Sequence, residues 1–303
     1  MKDARVQLEG PYNVDGTTDN AQTVDLYTTD DFRVTSITDT NDNSIPTEDS
    51  DERILTPITG RREFRLSGNA VPLRVFKGSN ESDIEKSLRR WLLSIEALTL
   101  PEQGLGYALY DDVRNQDSVP QPDNESGFLI EESRWSLDSQ DINRASWRVE
   151  GKLSEGVQDP ELTPEEYIDE RLSGPDINVD EVSSASGSVK LTEVDSRRVT
   201  RFINLNAVDI MHNTDLPITG FFDSGVEEEV RFNGTVVDKD EDSLAEKAKL
   251  IDQELQGEEA TLSDSFMNRE YVGSISNSNT TFNEQQPNAF EFRITLEVGN
   301  TII

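Results

Sequence analysis

Phe64-Arg65-Leu66-Ser67-Gly68 and Val230-Arg231-Phe232-Asn233-Gly234 decide the reading of this chain. Each alternates apolar and polar residues, the period of a half-buried strand, and each ends on glycine. Behind the first comes a helical pattern opening Ser82-Asp83-Ile84-Glu85-Lys86, and behind the second one opening Ser243-Leu244-Ala245-Glu246-Lys247. Each helix is followed by a hairpin. The first runs from Phe128 to Trp147-Arg148-Val149-Glu150, the second from Tyr271 to Phe290-Glu291-Phe292-Arg293, with a spacing of 19 residues from Phe128 to Trp147 and from Tyr271 to Phe290. Strand, helix and hairpin follow in the same order twice. A repeated unit in one chain is a part built to pack against copies of itself.

The helical spans are predicted from apolar spacing. Over about Asp83 to Leu98, Ile84, Leu88, Trp91, Leu92, Ile95 and Leu98 form one stripe, and Ser82 with Glu85 reads as a capping box. Over Leu244 to Gln256 the stripe is Leu244, Ala248, Ile251 and Leu255, with Ser243 and Glu246 as a second box and Gly257 as the stop. In the last strand Phe290, Phe292, Ile294, Leu296 and Val298 face one way, and Glu291, Arg293, Thr295 and Glu297 the other. The expected hairpin–helix core is therefore Ile84, Leu88, Trp91, Ile95 and Trp147 in the first half. In the second it is Leu244, Ile251, Leu255, Phe290, Phe292, Ile294 and Leu296. The fold class is mainly β with some helix, in two tandem domains, each with one helix and a long hairpin.

Around these units the sequence predicts an extended N-terminal arm over residues 1–30, pinned to a neighbouring subunit or disordered. The first domain spans 31–156, a linker 157–197, and the second domain 198–303. The linker holds a short helix, because Thr163-Pro164-Glu165-Glu166 places an N-cap before a first-turn proline. Ser183-Ser184-Ala185-Ser186-Gly187-Ser188 reads as a flexible stretch. The segment between Leu100 and Gly127 reads as a polar loop at the surface, with Pro120 and Pro122.

The chain has 303 residues, 61 acidic and 28 basic, with a formal net charge of -33 and only 33 % apolar residues. The acids are spread through the whole sequence. That composition fits adaptation to high salt, because in ~1 M salt the Debye length falls to roughly 3 Å and like charges barely repel. It disfavours nucleic-acid reading, which needs basic surfaces. There are no cysteines, so disulfides, thiol catalysis and thiolate metal sites are excluded. No apolar N-terminal run or membrane-length span is present, so the chain reads as a soluble cytoplasmic product.

Catalytic chemistry finds few residues to use. His212 is the single histidine, in a polar turn with no nucleophile beside it. Asp238-Lys239-Asp240-Glu241-Asp242 starts like a calcium loop, but Ser243 stands where glycine is needed and Lys249 where the bidentate glutamate belongs. Asp39-Thr40-Asn41-Asp42-Asn43 starts the same way and ends without a glutamate. Both read as solvated loops. No enzyme activity and no cofactor are expected, beyond nonspecific monovalent or divalent cations.

The order of strands, helix and long hairpin, carried by segments such as Val230–Gly234 and Phe290–Gly299, resembles the tail-tube family of long-tailed viruses. The resemblance covers about Phe32–Gly156 and Phe202–Gly299. It implies a structural virion protein in which two tail-tube domains, each a β-sandwich or split barrel with one flanking helix and a long hairpin, share one chain, so that three chains close a ring of pseudo-sixfold symmetry. It implies stacking into a tube around a channel for genome passage, with self-contacts, other tail, head-completion and baseplate proteins as partners, and DNA passing without specific binding. The polar strand faces, Arg148, Glu150 and Lys152 in the first half and Glu291, Arg293, Thr295 and Glu297 in the second, would line the channel, and the loop between Leu100 and Gly127 would lie on the outer surface or between rings. The location implied is the virion tail, assembled in the host cytoplasm, with no membrane partner. Combined with the acidic composition, the resemblance suggests a virus of a haloarchaeon. Two alternatives are a distal tail or baseplate ring protein of the same fold, and a tandem β-domain adhesion or carbohydrate-binding protein.

Overall fold

The computed structural model describes residues 6–12, 21–27, 33–40, 61–76, 78, 81–100, 106–111, 116–119, 126–138, 144–155, 163–211, 217–282 and 286–298. The protein is mainly β, with one large antiparallel sheet. In chain order the strands are β1 (Val6–Tyr12), β2 (Gln22–Asp25), β3 (Arg33–Thr40), β4 (Arg61–Ala70), β5 (Gly106–Asp111), β6 (Gln116–Val119), β7 (Ser126–Asp138) and β8 (Arg144–Glu155). They continue with β9 (Glu181–Ser184), β10 (Gly187–Lys190), β11 (Glu193–Met211), β12 (Pro217–Val237), β13 (Glu259–Asp264), β14 (Arg269–Phe282) and β15 (Ala289–Val298). The helices are α1 (Pro72–Val75), α2 (Glu81–Glu96), α3 (Pro164–Leu172) and α4 (Glu241–Lys249), the last running on into a π-helical turn at Leu250–Glu254.

The main run of the sheet is β3-β4-β8-β7-β11-β12-β15-β14-β13-β9-β10. Within it, β3-β4-β8-β7 and β11-β12-β15-β14 have the same order. In each set a hairpin comes first, a helix follows its second strand, and a second hairpin inserts so that its last strand pairs beside that second strand. The registers correspond as well. Gly68 stands opposite Trp147 and Gly234 opposite Phe292. The β7–β8 ladder shifts register between Ile130 and Glu132, and the β14–β15 ladder shifts between Ile275 and Asn277. The sequence matched Trp147 with Phe290; in strand register Trp147 answers to Phe292. Side-chain period 2 hides such a two-residue offset, because either choice keeps the apolar face inward.

Gly68 does not interrupt its strand, since β4 runs through it to Ala70. A Cβ at Gly68 would lie 2.6 Å from Cζ2 of Trp147, so the glycine makes room for the indole. At Gly234 a Cβ would lie 2.0 Å from the carbonyl oxygen of Glu193, where β11 shifts register against β12.

The helices cover the apolar side of the sheet. Leu88, Trp91, Ile95, Trp147, Leu244, Ile251, Leu255, Phe290, Phe292, Ile294 and Leu296 are all buried in one cluster. Ile84 is half-buried, because it sits in the first turn of α2. Two helix starts differ from the sequence reading. Helix α2 begins at Glu81, so Ser82 lies inside it, exposed. Helix α4 is capped by Asp240, whose side chain accepts from the amide of Asp242, while the Ser243 hydroxyl donates to Asp238 instead (2.9 Å). Aspartate caps as well as serine and stands earlier in the chain. Thr163 caps α3 with a reciprocal box to Glu166 and Pro164 in the first turn.

Three regions expected at the surface pack inside. The described parts of the N-terminal segment are not an extended arm: β1 pairs with β2 and β5, and Val6, Leu8, Val24 and Leu26 are buried. The indoles of Trp91 and Trp147 donate to the carbonyls of Asp25 and Tyr27, each at 2.7 Å, and hold the segment against the first half. From the Leu100–Gly127 loop, β5 joins the sheet beside Phe128 and buries Tyr107, Ala108 and Leu109. The serine-rich stretch of the linker is the hairpin β9–β10, anchored by the fully buried Val182 and Val189. Gly187, at φ +147, supplies backbone freedom at its turn. Strand β11 also starts inside the expected linker, at Glu193. The His212 turn and Asn41–Asn43 lie outside the described residues.

Candidate functional site

The candidate site is the polar face of the sheet, together with the two strand edges at the ends of its repeated part. Antiparallel sheets with one face on a core leave the other to water. On that face β8 presents Arg148, Glu150 and Lys152, and β15 presents Glu291, Arg293, Thr295 and Glu297. Strand register joins the two sets into one surface. Arg148 stands opposite Arg134 of β7, Arg134 opposite Thr200 of β11, Thr200 opposite Glu229 of β12, and Glu229 opposite Glu297. One row along, Ser146, Ser136, Arg198, Arg231, Thr295 and Asn277 follow one another across the same strands.

The face is mixed in charge and laced with pairs. Arg148 is hydrogen-bonded to Glu150 (Nε to Oε1, 2.6 Å), and Arg65 reaches the other oxygen of Glu150 at 3.0 Å. Lys152 pairs with Glu131. Arg231 donates to Thr295 Oγ1 at 3.2 Å and lies 3.4 Å from Glu229. Arg293 donates to Asn233 Oδ1 at 3.2 Å, and Asn233 donates to Ser196 at 2.8 Å. Thr295 is an exception to the exposed pattern, since it is only 3 % exposed and lies under Arg231. A uniformly acidic surface is thus not what this face presents.

Each edge corresponds to one side of the junction between the halves. On one side of the internal junction, β7 from Glu132 to Asp138 pairs with β11 from Phe202 back to Ser196. The strand answering to β7 is β14, whose first residues, Arg269 to Ser274, pair with β13. Beyond the bridge at Ile275, no strand pairs with this edge of β14 among the described residues. The strand answering to β11 is β3, whose one partner among the described residues is β4. Phe282, at the end of the open stretch of β14, is 53 % exposed.

A second feature escaped the sequence reading, a buried ionic network joining the halves. Glu96, at the end of α2, accepts from Trp135 Nε1 (2.7 Å), Tyr167 OH (2.9 Å) and Arg269 Nη1 (3.0 Å). The other arm of Arg269 donates to Glu228 at 2.9 Å, and Arg201 Nε lies 3.4 Å from that carboxylate. Arg201 also donates to the backbone carbonyl of Glu96 (3.2 Å). Burial alone would raise the Glu228 carboxyl, but Arg269, Arg201 and Arg171 together hold it below its ordinary value. A smaller cluster sets Arg197 against Asp264 (3.0 Å) and Asp180 (2.6 Å). Burial pushes the Asp264 carboxyl up, against the pull of Arg197. The signal for both clusters lay in the alternation. Arg197 and Arg201 share a side of β11 with Val199 and Ile203, and Glu228 shares one with Val230 and Phe232, so charges occupy core positions. Buried charges persist where they are paired.

No group of acids or histidines that could hold a metal ion occurs among the described residues. Asp238 is taken up by Lys247, the Asp240 amide and Ser243, which hold its carboxyl well below the usual range. No helix among the described residues is long and apolar enough to cross a membrane. No protein-family model matches the chain and no curated protein matches it.

Proposed function

We propose that this chain is a structural ring protein whose two halves derive from duplication of one unit, and that it builds the tail tube of a tailed virus. The observation that carries the reading is the junction between the halves. There β7 of the first unit pairs with β11 of the second, while the corresponding strands at the outer ends, β14 beyond Ile275 and β3, have no strand on their outer edges among the described residues. An open edge is a template for another chain, and closing a sheet on itself is how proteins remove it. Repeating the internal junction between copies joins β14 of one chain to β3 of the next. Three chains then give six units and a closed barrel, the pseudo-sixfold ring of the resembled family.

In that ring the apolar side packs outward on the helices and the polar face lines a wet channel. Arg148, Glu150, Lys152, Glu291, Arg293 and Glu297 face the lumen, with Thr295 beneath them. Acids and bases are both present there, and so mixed a wall presents a passing DNA strand with no uniform attraction. Partners are other copies, tail and head-completion proteins and the baseplate; the site of action is the virion tail. The spread of acidic residues suits a high-salt host.

Negative-stain electron microscopy of the purified protein in roughly 2–3 M salt, where charges are screened within a few ångströms, tests this. Rings or tubes with a central hole are expected. Isolated particles at every concentration would overturn the ring.

A further inference from the structure

The polar face carries a cluster of arginines that the fold places against one another. Arg134 stands directly opposite Arg148, and one strand over Arg198 stands directly opposite Arg231. Like charges directly opposite across strands destabilise a sheet. Part of this repulsion is answered locally. Arg148 has Glu150 at 2.6 Å, and Arg231 has Glu229 at 3.4 Å. Among the described residues Arg134 has only Glu132, at 3.9 Å, with the geometry of a loose ion pair. Arg198 has no carboxylate within ion-pair distance among the described residues, in a chain with 61 acids and 28 bases. Burial, then Arg134 and Arg231, lower its pKa.

Three of these side chains, Arg134, Arg148 and Arg198, border one open space. A cleft of about 530 Å³ is lined by Arg134, Arg144, Arg148 and Arg198, with the hydroxyls of Ser136 and Ser146, 2.6 Å apart, on its wall. Guanidinium groups bordering one space, Arg198 and Arg134 the least engaged by carboxylates among the described residues, are donors suited to the tetrahedral oxygens of a phosphate. The second half has no counterpart. In strand register Asn279 stands where the first half has Arg134, and Glu291 where it has Ser146.

We propose that this cleft is an oxyanion site that binds a phosphate group, as a free ion or as a phosphodiester of nucleic acid. The bound group would neutralise Arg198 and Arg134 together. That nucleic acid supplies the phosphate rests on the channel reading above; the site itself lies within one chain and does not need a ring.

The test uses the full chain at fixed ionic strength set with potassium chloride. Inorganic phosphate is titrated while the unfolding temperature and the heat of binding are followed. Saturable binding is expected, weakened at least about tenfold in Arg198→Gln and in Arg134→Gln, the loss of a charge-assisted contact. Without phosphate, Arg198→Gln should be no less stable than wild type, because it removes a repelled charge. A short DNA duplex that competes with phosphate identifies the backbone as source; phosphate binding without competition identifies the free ion. Either result upholds the site. An equal response to chloride alone, or undiminished phosphate binding in both variants, would overturn it. Phosphate binding by a protein that never forms rings would leave this site standing and sink only the ring.

Discussion

Arg269 of β14 bridges Glu96 and Glu228, holding one carboxylate at 3.0 Å and the other at 2.9 Å across a sequence separation of 173 residues from Glu96. One guanidinium thus fastens the end of the first half's helix to the second half's sheet. The two units are thereby held in the relative position that the β7–β11 ladder also requires.

Removing either end of the bridge leaves the buried charges that remain one charged partner short. Glu96→Ala and Arg269→Ala are each expected to lower unfolding stability by about 3–5 kcal/mol, measured by denaturant titration in molar salt. Arg269→Lys should also destabilise, because an ammonium cannot hold two carboxylates in a planar fork. A loss under about 1 kcal/mol in the alanine variants would remove the network from the list of forces joining the halves.

Acid should weaken the same bridge. The Glu228 carboxyl has a folded pKa below its ordinary 4.5. A depressed carboxylate stabilises above the unfolded value, and that stability is lost as pH falls through the folded one. The difference in unfolding free energy between wild type and Glu228→Gln should therefore be largest above pH 4.5 and shrink below it. Asp264 shifts the other way but is present in both proteins and cancels. A difference independent of pH would contradict the assignment.

The strand glycine at Gly68 can be tested by adding one methyl. In Gly68→Ala the new Cβ meets the Trp147 ring at 2.6 Å, so the indole must move and strain its bond to the Tyr27 carbonyl. A loss of roughly 1–3 kcal/mol is expected, the usual cost of overpacking. Trp147 fluorescence should shift with it; an unchanged spectrum and stability would mean the ring has room.

Salt should act as a structural agent. At a net charge of -33, repulsion between carboxylates is screened over roughly 3 Å in ~1 M salt but reaches about 10 Å at 0.1 M. The unfolding temperature should rise with potassium chloride over that interval. A flat or falling curve would count against a protein of high-salt habitat.

Much of the fold was legible because solvent sorts side chains by period. The alternation from Phe290 to Val298 gave β15 and its wet face, the stripes gave α2 and α4, and Thr163-Pro164 gave α3. Composition misled where contact partners decide. Ser183–Ser188 reads as a linker until Val182 and Val189 find a core, and the Asp- and Thr-rich N-terminal segment reads as an arm until Trp91 and Trp147 seize its carbonyls. The ionic network depends on residues far apart in sequence, so Arg201 and Glu228 could be noticed only as charges in apolar registers. Which strand edges stay open depends on topology, which no single segment records.

The claim that copies join as the halves do fixes a register. Transferring the β7–β11 pairing through the bulges places Thr280 of one copy opposite Ile37 of the next. Directly opposed residues in antiparallel strands lie about 4.5–5.5 Å apart at Cα, within disulfide reach. The chain has no cysteine of its own, so the two thiols of the double variant Thr280→Cys/Ile37→Cys are the ones placed to meet across the ring contact. Oxidised in molar salt, it should give a ladder of covalent oligomers ending at a closed trimer, while each single variant gives at most a dimer. A double variant that stays monomeric under oxidation, with both thiols free, would contradict the ring.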